Sequence, residues 1–177
     1  LSGVDLAGMD LRQTTWVSVS LAGAKLTGTL LTAASFAGVH FEGAALGGAD
    51  LALSTLSGAS FVDVDLVSSN LDGADLTEAD LRRARFGGTR MMDVKLRGAQ
   101  LTGLDLRGCF VHSSDLSGAD LRGVRLHLAD LTAADLRGCK LDGSVDLRQC
   151  LMLGADLSGV ALVGASLEDC DLSQAKL

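Results

Sequence analysis

A nonpolar residue returns at every fifth position of the chain, from Leu1, Leu6, Leu11, Trp16, Leu21 and Leu26 through Phe36, Phe41, Leu136 and Leu141, then one residue late from Leu147 to Leu177. A helix needs a period near 3.6 and a half-buried strand a period of 2, so neither can carry this beat along its length. Two residues before each beat stands a small residue, as in Ala74-Asp75-Leu76, Ala79-Asp80-Leu81, Ala119-Asp120-Leu121 and Ala134-Asp135-Leu136, and two residues after it Gly is commonest. The small residue and the beat are apolar with a polar residue between them, which is strand alternation lasting only four residues. The fifth residue must turn the chain, and Gly accepts the positive φ of a tight corner. Corners repeated every five residues wind the chain into a coil with the beats stacked along its axis.

These motifs resemble the pentapeptide-repeat family, whose pattern is a small residue, Asp or Asn, Leu and two variable positions, often ending in Gly. The resemblance spans the chain and implies an all-β, right-handed quadrilateral β-helix with four pentapeptides per coil. The small residue and the beat then point inward and the other three outward. The 36 beats between Leu1 and Leu177 predict nine coils, a rod of roughly 43 Å at the ordinary strand spacing. With no linker or charge block, residues 1–177 read as one domain, and the absence of Pro suits a backbone paired on both sides.

Charge order supports four units per coil. Stacking every 20 residues places Asp65, Arg85, Asp105, Arg125 and Asp146 in one column, with Asp5 and Lys25 before them, whereas stacking every 15 gives no alternation of sign. Each opposite-charge neighbour in such a ladder contributes roughly 0.2–1 kcal/mol.

Little here reads as chemistry. Cys109, Cys139, Cys150 and Cys170 all occupy the small inward place and are expected to be reduced thiols, which points to a cytoplasmic setting. His40, His112 and His127 are expected outward on three different faces, too dispersed for a metal. No nucleophile triad, phosphate loop or zinc spacing occurs, and no cofactor is expected. Asp115, Asp135 and Asp156 should form an acidic stripe on successive coils, bracketed by Lys95 and Lys176, where like charges would perturb one another or hold a cation. A convex rod, however, is expected to lack the cavity that catalysis needs, so the chain reads as a non-enzyme.

Protein binding has a sharper pointer. Leu30, Phe110 and Leu151 before the beat, with Met92 and Leu153 after it, fall on one face together with Arg90 and Arg12, and Phe110 and Arg90 are the expected anchors. The chain starts and stops on a beat without an initiator Met, so it reads as a module of a larger protein or one whose end coils stack end to end or side by side in a homodimer. The extra residue near Gly143-Ser144-Val145 reads as a bulge at a corner. No apolar run is long enough to span a membrane.

A net charge of −7 and 3% aromatics argue against direct nucleic-acid binding and leave a basic protein partner as the expectation. The resemblance supplies an alternative, because members that protect DNA gyrase are thought to imitate duplex DNA. A rod of this length would then need about 25 negative charges. The chain has 22 acids against 15 bases, with Arg82, Arg83, Arg85, Arg90, Arg97, Arg107 and Arg122 in its central coils, so mimicry is confined to the face of Asp115. The protruding loops and C-terminal dimerising helix of several gyrase-protecting members have no counterpart in this sequence.

Overall fold

A computed structural model describes residues 1–177. Parallel bridges join each residue preceding a beat to its counterpart one coil on, as in Asp5 to Lys25, Asp10 to Leu30, Thr15 to Ser35 and Ser20 to His40. The interval is 20 residues, or four pentapeptides, so each turn has four sides and the fold is a quadrilateral β-helix. The bridged residues define four faces. The first runs from Asp5 through Asp65, Arg85 and Asp105 to Ser166, the second from Asp10 through Arg90 and Phe110 to Asp171, the third from Thr15 through Asp115 and Asp135 to Lys176, and the fourth from Ser20 through Asp80 and Asp120 to Lys140.

The inward positions form one cluster of 49 buried apolar residues. Each fully buried leucine contributes roughly 1.5–3 kcal/mol. Aromatic beats meet near the start of the axis, where Trp16 stacks on Phe36 at 5.7 Å and Phe41 on Phe61 at 4.9 Å between ring centroids. Where the small place is polar, its hydroxyl donates to a beat carbonyl, as Ser69 does to Leu66 at 2.7 Å and Thr89 to the same carbonyl at 2.7 Å. A buried hydroxyl is thereby satisfied, and no buried side-chain polar atom lacks a partner.

The preference for Asp or Asn before the beat has a local cause. Its side-chain oxygen accepts the backbone N–H two residues on, from Asp75 to Thr77 at 3.0 Å and from Asn70 to Asp72 at 3.1 Å, and this fixes the corner. Corner geometry persists without glycine: 15 non-glycine residues, Leu53, Leu128 and Ala133 among them, adopt φ between 53° and 63°.

The extra residue is a three-residue corner, Asp142-Gly143-Ser144, held by the Ser144 N–H on the Asp142 carboxylate at 3.0 Å. Bridges before it span 20 residues and those across it 21, as from Arg125 to Asp146. The widened corner rests on Gly164, where a Cβ would come within 3.0 Å of the Gly143 Cα, so a side chain at 164 would collide with backbone.

Candidate protein-binding face and an open seam

On the second face the bridged column reads Asp10, Leu30, Asp50, Asn70, Arg90, Phe110, Asp130, Leu151, Asp171. Leu30, Phe110 and Leu151 are 38%, 56% and 50% exposed, and no other bridged column holds a large apolar side chain. Met92 is half-buried at the corner two residues past Arg90, the bridge partner of Phe110, while Leu153, 40% exposed, follows Leu151 on the same coil. The predicted residues therefore share a face but not one patch. Met92 with Phe110 and Leu151 with Leu153 form two apolar pairs separated by Asp130 and Thr132, and Leu30 lies four coils from Phe110, about 19 Å away. Arg90 is already committed, since its guanidinium donates to Asp72 at 2.5 Å. Arg12 is likewise forked onto Asp10.

Asp115, Asp135 and Asp156 stack on successive coils of the third face, between Lys95 and Lys176. They do not act as three free charges. Arg137 donates to both oxygens of Asp135 at 2.9 and 2.6 Å, and this hydrogen bonding holds the Asp135 carboxyl below its ordinary pKa. The Ser158 hydrogen bonds lower Asp156, which also faces Lys176 at 3.5 Å, and Ser117 donates its N–H and hydroxyl to Asp115.

The Asp135–Arg137 arrangement is general. Asp-Leu-Arg occurs at Asp10, Asp80, Asp105, Asp120, Asp135 and Asp146, and each time the arginine Nε and Nη2 fork onto the aspartate two residues back. Strand alternation explains the fit: residues two apart across an inward leucine both project outward around the corner. Arg148 pulls Asp146 down to about 2 in this way. With Arg83 on Asp63, Arg85 on Asp65, Arg90 on Asp72 and Arg125 on Asp105, every arginine but Arg97 pairs with an aspartate. The Asp-Leu-Arg triplets, plain in the sequence, were the signal for this neutralisation. The charge ladder foreseen on the first face exists as separate pairs, Asp5 with Lys25, Asp65 with Arg85 and Asp105 with Arg125.

Cys109, Cys139 and Cys150 are buried and Cys170 half-buried, all four as free thiols on the inward side. Burial raises the Cys109 thiol to about 11 and the Cys139 and Cys150 thiols to about 12, while each sulfur points at a carbonyl of the preceding coil. His40, His112 and His127 stand on different faces, against Glu42, Ser113 and the Arg148 carbonyl.

The surface is not convex throughout, contrary to the expectation of a rod without a cavity. Between residues 83–89 and 102–110 the backbone ladder is open: the N–H groups of Arg83, Phe86, Gly88, Asp105 and Phe110 make no backbone bond, and the Arg85–Asp105 bridge is missing from its column. The coils on either side are closed, with Leu66 N–H on Arg85 O and Leu106 N–H on Arg125 O, both at 2.9 Å. A cleft of about 630 Å³ follows the seam at the corner between the first and second faces, walled by Val67, Phe86, Gly87, Arg107, Gly108 and Leu128. Its cause lies inside. The inward small column here reads Val64, Ala84, Leu104, Val124, and Leu104 is the one leucine among all the small places. Buried at 2% exposure between the Ala84 and Val124 coils and beside the bulky Phe86, it overfills the axis and parts the strands. A leucine out of class was the sequence signal for the seam.

A β-solenoid of four-sided coils with a buried leucine axis is the class this geometry defines. The chain belongs to the pentapeptide-repeat family: a family model described as pentapeptide repeats matches in eight copies across residues 1–36, 34–73, 74–112, 112–145 and 144–177. Its fold is therefore the right-handed quadrilateral β-helix of that family. Among solved structures, trypsin-treated QnrB1, a plasmid-mediated fluoroquinolone resistance protein, superposes with a TM-score of 0.86 at 19% identity, covering 97% of this chain and 86% of that one. HetL, a pentapeptide-repeat protein involved in heterocyst differentiation regulation from the cyanobacterium Nostoc, gives 0.54 at 23% identity, covering 99% and 87%. A pentapeptide-repeat protein of the Arabidopsis thaliana thylakoid lumen gives 0.50 at 30% identity over 60% of this chain and 70% of that one. Comparison with the curated proteins finds no match.

Proposed function

We propose that the chain is a non-catalytic scaffold, one domain of residues 1–177 working in a reducing compartment as a module of a larger protein, that presents its second face to a protein partner. The observation that carries this reading is the column holding Leu30, Phe110 and Leu151, large apolar side chains at places that are polar or small on every other face. Phe110 and Leu151, flanked by Met92 and Leu153, are the anchors, while Asp130 and Asp171 in the same column carry no ion pair and suit a basic rim on the partner. Arg90, paired with Asp72, borders this surface with its side chain still exposed.

The test is Phe110→Ser with Leu151→Ser. Both side chains are outward, so the fold should persist by circular dichroism, while cross-linked self-association or capture of the native partner falls at least about tenfold. Unchanged association would remove this face from the proposal.

The likeness to QnrB1, at 19% identity a likeness of fold alone, prompts a second reading, protection of DNA gyrase by imitation of duplex DNA. The Asp-Leu-Arg forks count against it, because they cancel charge where an imitator needs regular negative charge. Supercoiling by purified gyrase, with and without a quinolone, is expected to be unaffected by a large excess of the protein; protection or inhibition would reinstate mimicry.

A further inference from the structure

We propose that the C-terminal half of the second face, from Phe110 to Asp171, seats a basic amphipathic α-helix of the partner protein, laid along the solenoid axis. The inference rests on the scaffold reading and deepens it, by giving the partner's element and its charge.

Four consecutive places of this column alternate in kind: Phe110, Asp130, Leu151 and Asp171, joined by unbroken bridges. Their spacing decides what can match them. Bridged residues lie about 4.8 Å apart, so the four places span about 14 Å. Along one stripe of a helix, alternate steps of three and four residues advance about 5.3 Å each and reach about 16 Å in three steps. Same-side residues of an extended strand lie about 6.8 Å apart and reach about 20 Å, more than a coil out of register. A helix can therefore set apolar and cationic side chains opposite the four places in turn, and a strand cannot.

The acids are available to such a helix. Asp130 and Asp171 each accept one backbone N–H, from Thr132 at 3.0 Å and from Ser173 at 2.9 Å, and neither is in an ion pair. Hydrogen bonds from Ser173 hold the Asp171 carboxyl below its ordinary pKa, so it is charged at neutral pH. The N-terminal stretch of the same column differs: Asp10 is forked by Arg12, and Asp50 receives the Thr32 hydroxyl and the Asn70 amide. Leu128, 59% exposed, and Leu153 stand on opposite sides of the column and broaden the apolar contact. Glu168 and Asp169, exposed and without ion pairs at the corner before Asp171, extend the acidic end, while Arg148 one coil away is held by Asp146. Nucleic acid and anionic lipid surfaces are repelled by these charges. The helix-on-apolar-surface mode of recognition, with cations set between the apolar anchors, suits them.

The probe is a capped, alanine-based helical peptide of three heptads with leucine and lysine alternating along one stripe, titrated into the ¹⁵N-labelled protein. The amides of Phe110, Asp130, Leu151 and Asp171 should shift, and those of the third face should not. Asp130→Asn with Asp171→Asn should weaken binding about fivefold or more. Asparagine keeps the corner hydrogen bond, as Asn70 does at 3.1 Å, so the fold is preserved. Asp115→Asn with Asp156→Asn removes the same charge from the third face and should leave binding unchanged. A peptide of the same composition with its lysines on the opposite side, and an extended peptide of alternating valine and lysine, should each bind at least about fivefold more weakly. The proposal is overturned if the helical peptide leaves the second-face amides unmoved, if either control peptide binds equally well, or if the two pairs of asparagine variants behave alike. Capture of the native partner that is lost in Phe110→Ser with Leu151→Ser, yet is untouched in Asp130→Asn with Asp171→Asn, would retain the face and discard the basic helix.

Discussion

The first and third faces are built from the same repeat, yet bridges run unbroken down the third from Thr15 to Lys176 while the first parts between Arg85 and Asp105. Outward charge does not explain the difference. Arg85 and Asp105 are opposite in sign and one coil apart, an arrangement that should draw the strands together. The inward columns do explain it: behind the third face stand Thr14, Ala34, Ser54, Ala74, Val94, Ser114, Ala134, Ala155 and Ala175, none larger than valine, whereas Leu104 stands behind the first. An exposed ion pair is worth about 0–1 kcal/mol and an overfilled core costs about 1–3 kcal/mol, so the axis prevails. At this point of the first face, side-chain volume on the axis outweighs the ion pair outside it.

The strongest way to break that comparison is to cut into the closed side. Leu96→Ala, behind the third face at 1% exposure, should cost about 2–5 kcal/mol in urea denaturation. Leu104→Val should change stability by less than about 1 kcal/mol, because the lost methylene is offset by new backbone rungs. Exchange at Phe86 that stays fast in Leu104→Val would dismiss the wedge. Next come the thiols. Cys139, pushed up to about 12, should react with a disulfide reagent at pH 8 about a hundredfold more slowly in the folded than in the unfolded protein. Cys109, whose sulfur lies 3.6 Å from the Phe86 carbonyl at the seam against 3.0 Å for Cys139 on Leu116, should react faster than Cys139. Equal rates would argue that the seam is shut in solution. Because these folded-state values lie above the unfolded value of 9.0, the stability they represent is complete below pH 9 and is lost as pH rises towards 12.

At the acid end the sign reverses. Asp146, drawn down to about 2 by Arg148, stabilises the fold above the unfolded value of 3.8, and that contribution disappears as pH falls from 3.8 to 2. Arg148→Ala should therefore flatten the acid limb of the stability profile by on the order of 1 kcal/mol, and an unchanged limb would show the fork to be energetically idle. The smallest effect is expected at a corner: Ala133→Gly relieves a left-handed conformation at φ 56° and should raise stability by about half a kcal/mol in thermal unfolding.

Much of this was legible from residue order. The five-residue beat gave the inward and outward sides of every unit, and the alternation Asp65, Arg85, Asp105, Arg125 pointed to the 20-residue register. The column of Leu30, Phe110 and Leu151 followed from that register alone. Free anchors and free acids could not be read the same way, because whether Arg90 projects outward unbound or folds onto Asp72 depends on side-chain reach across a corner. The seam escaped for a different reason: a substitution by one isobutyl group keeps the apolar pattern intact, and its effect appears only when volumes are summed along the axis.

The Asp-Leu-Arg fork opens and closes within a single pentapeptide and asks nothing of the coils above or below. Units carrying it, other than that of Asp105, which also meets Arg125 on the next coil, hold their own charge balance, so whole coils of four units can be duplicated, deleted or transplanted along the axis without orphaning a forked charge. Engineering a longer or shorter version of this protein should therefore add or remove 20 residues at a time and cut between such triplets, which keeps every bridged column on its own face.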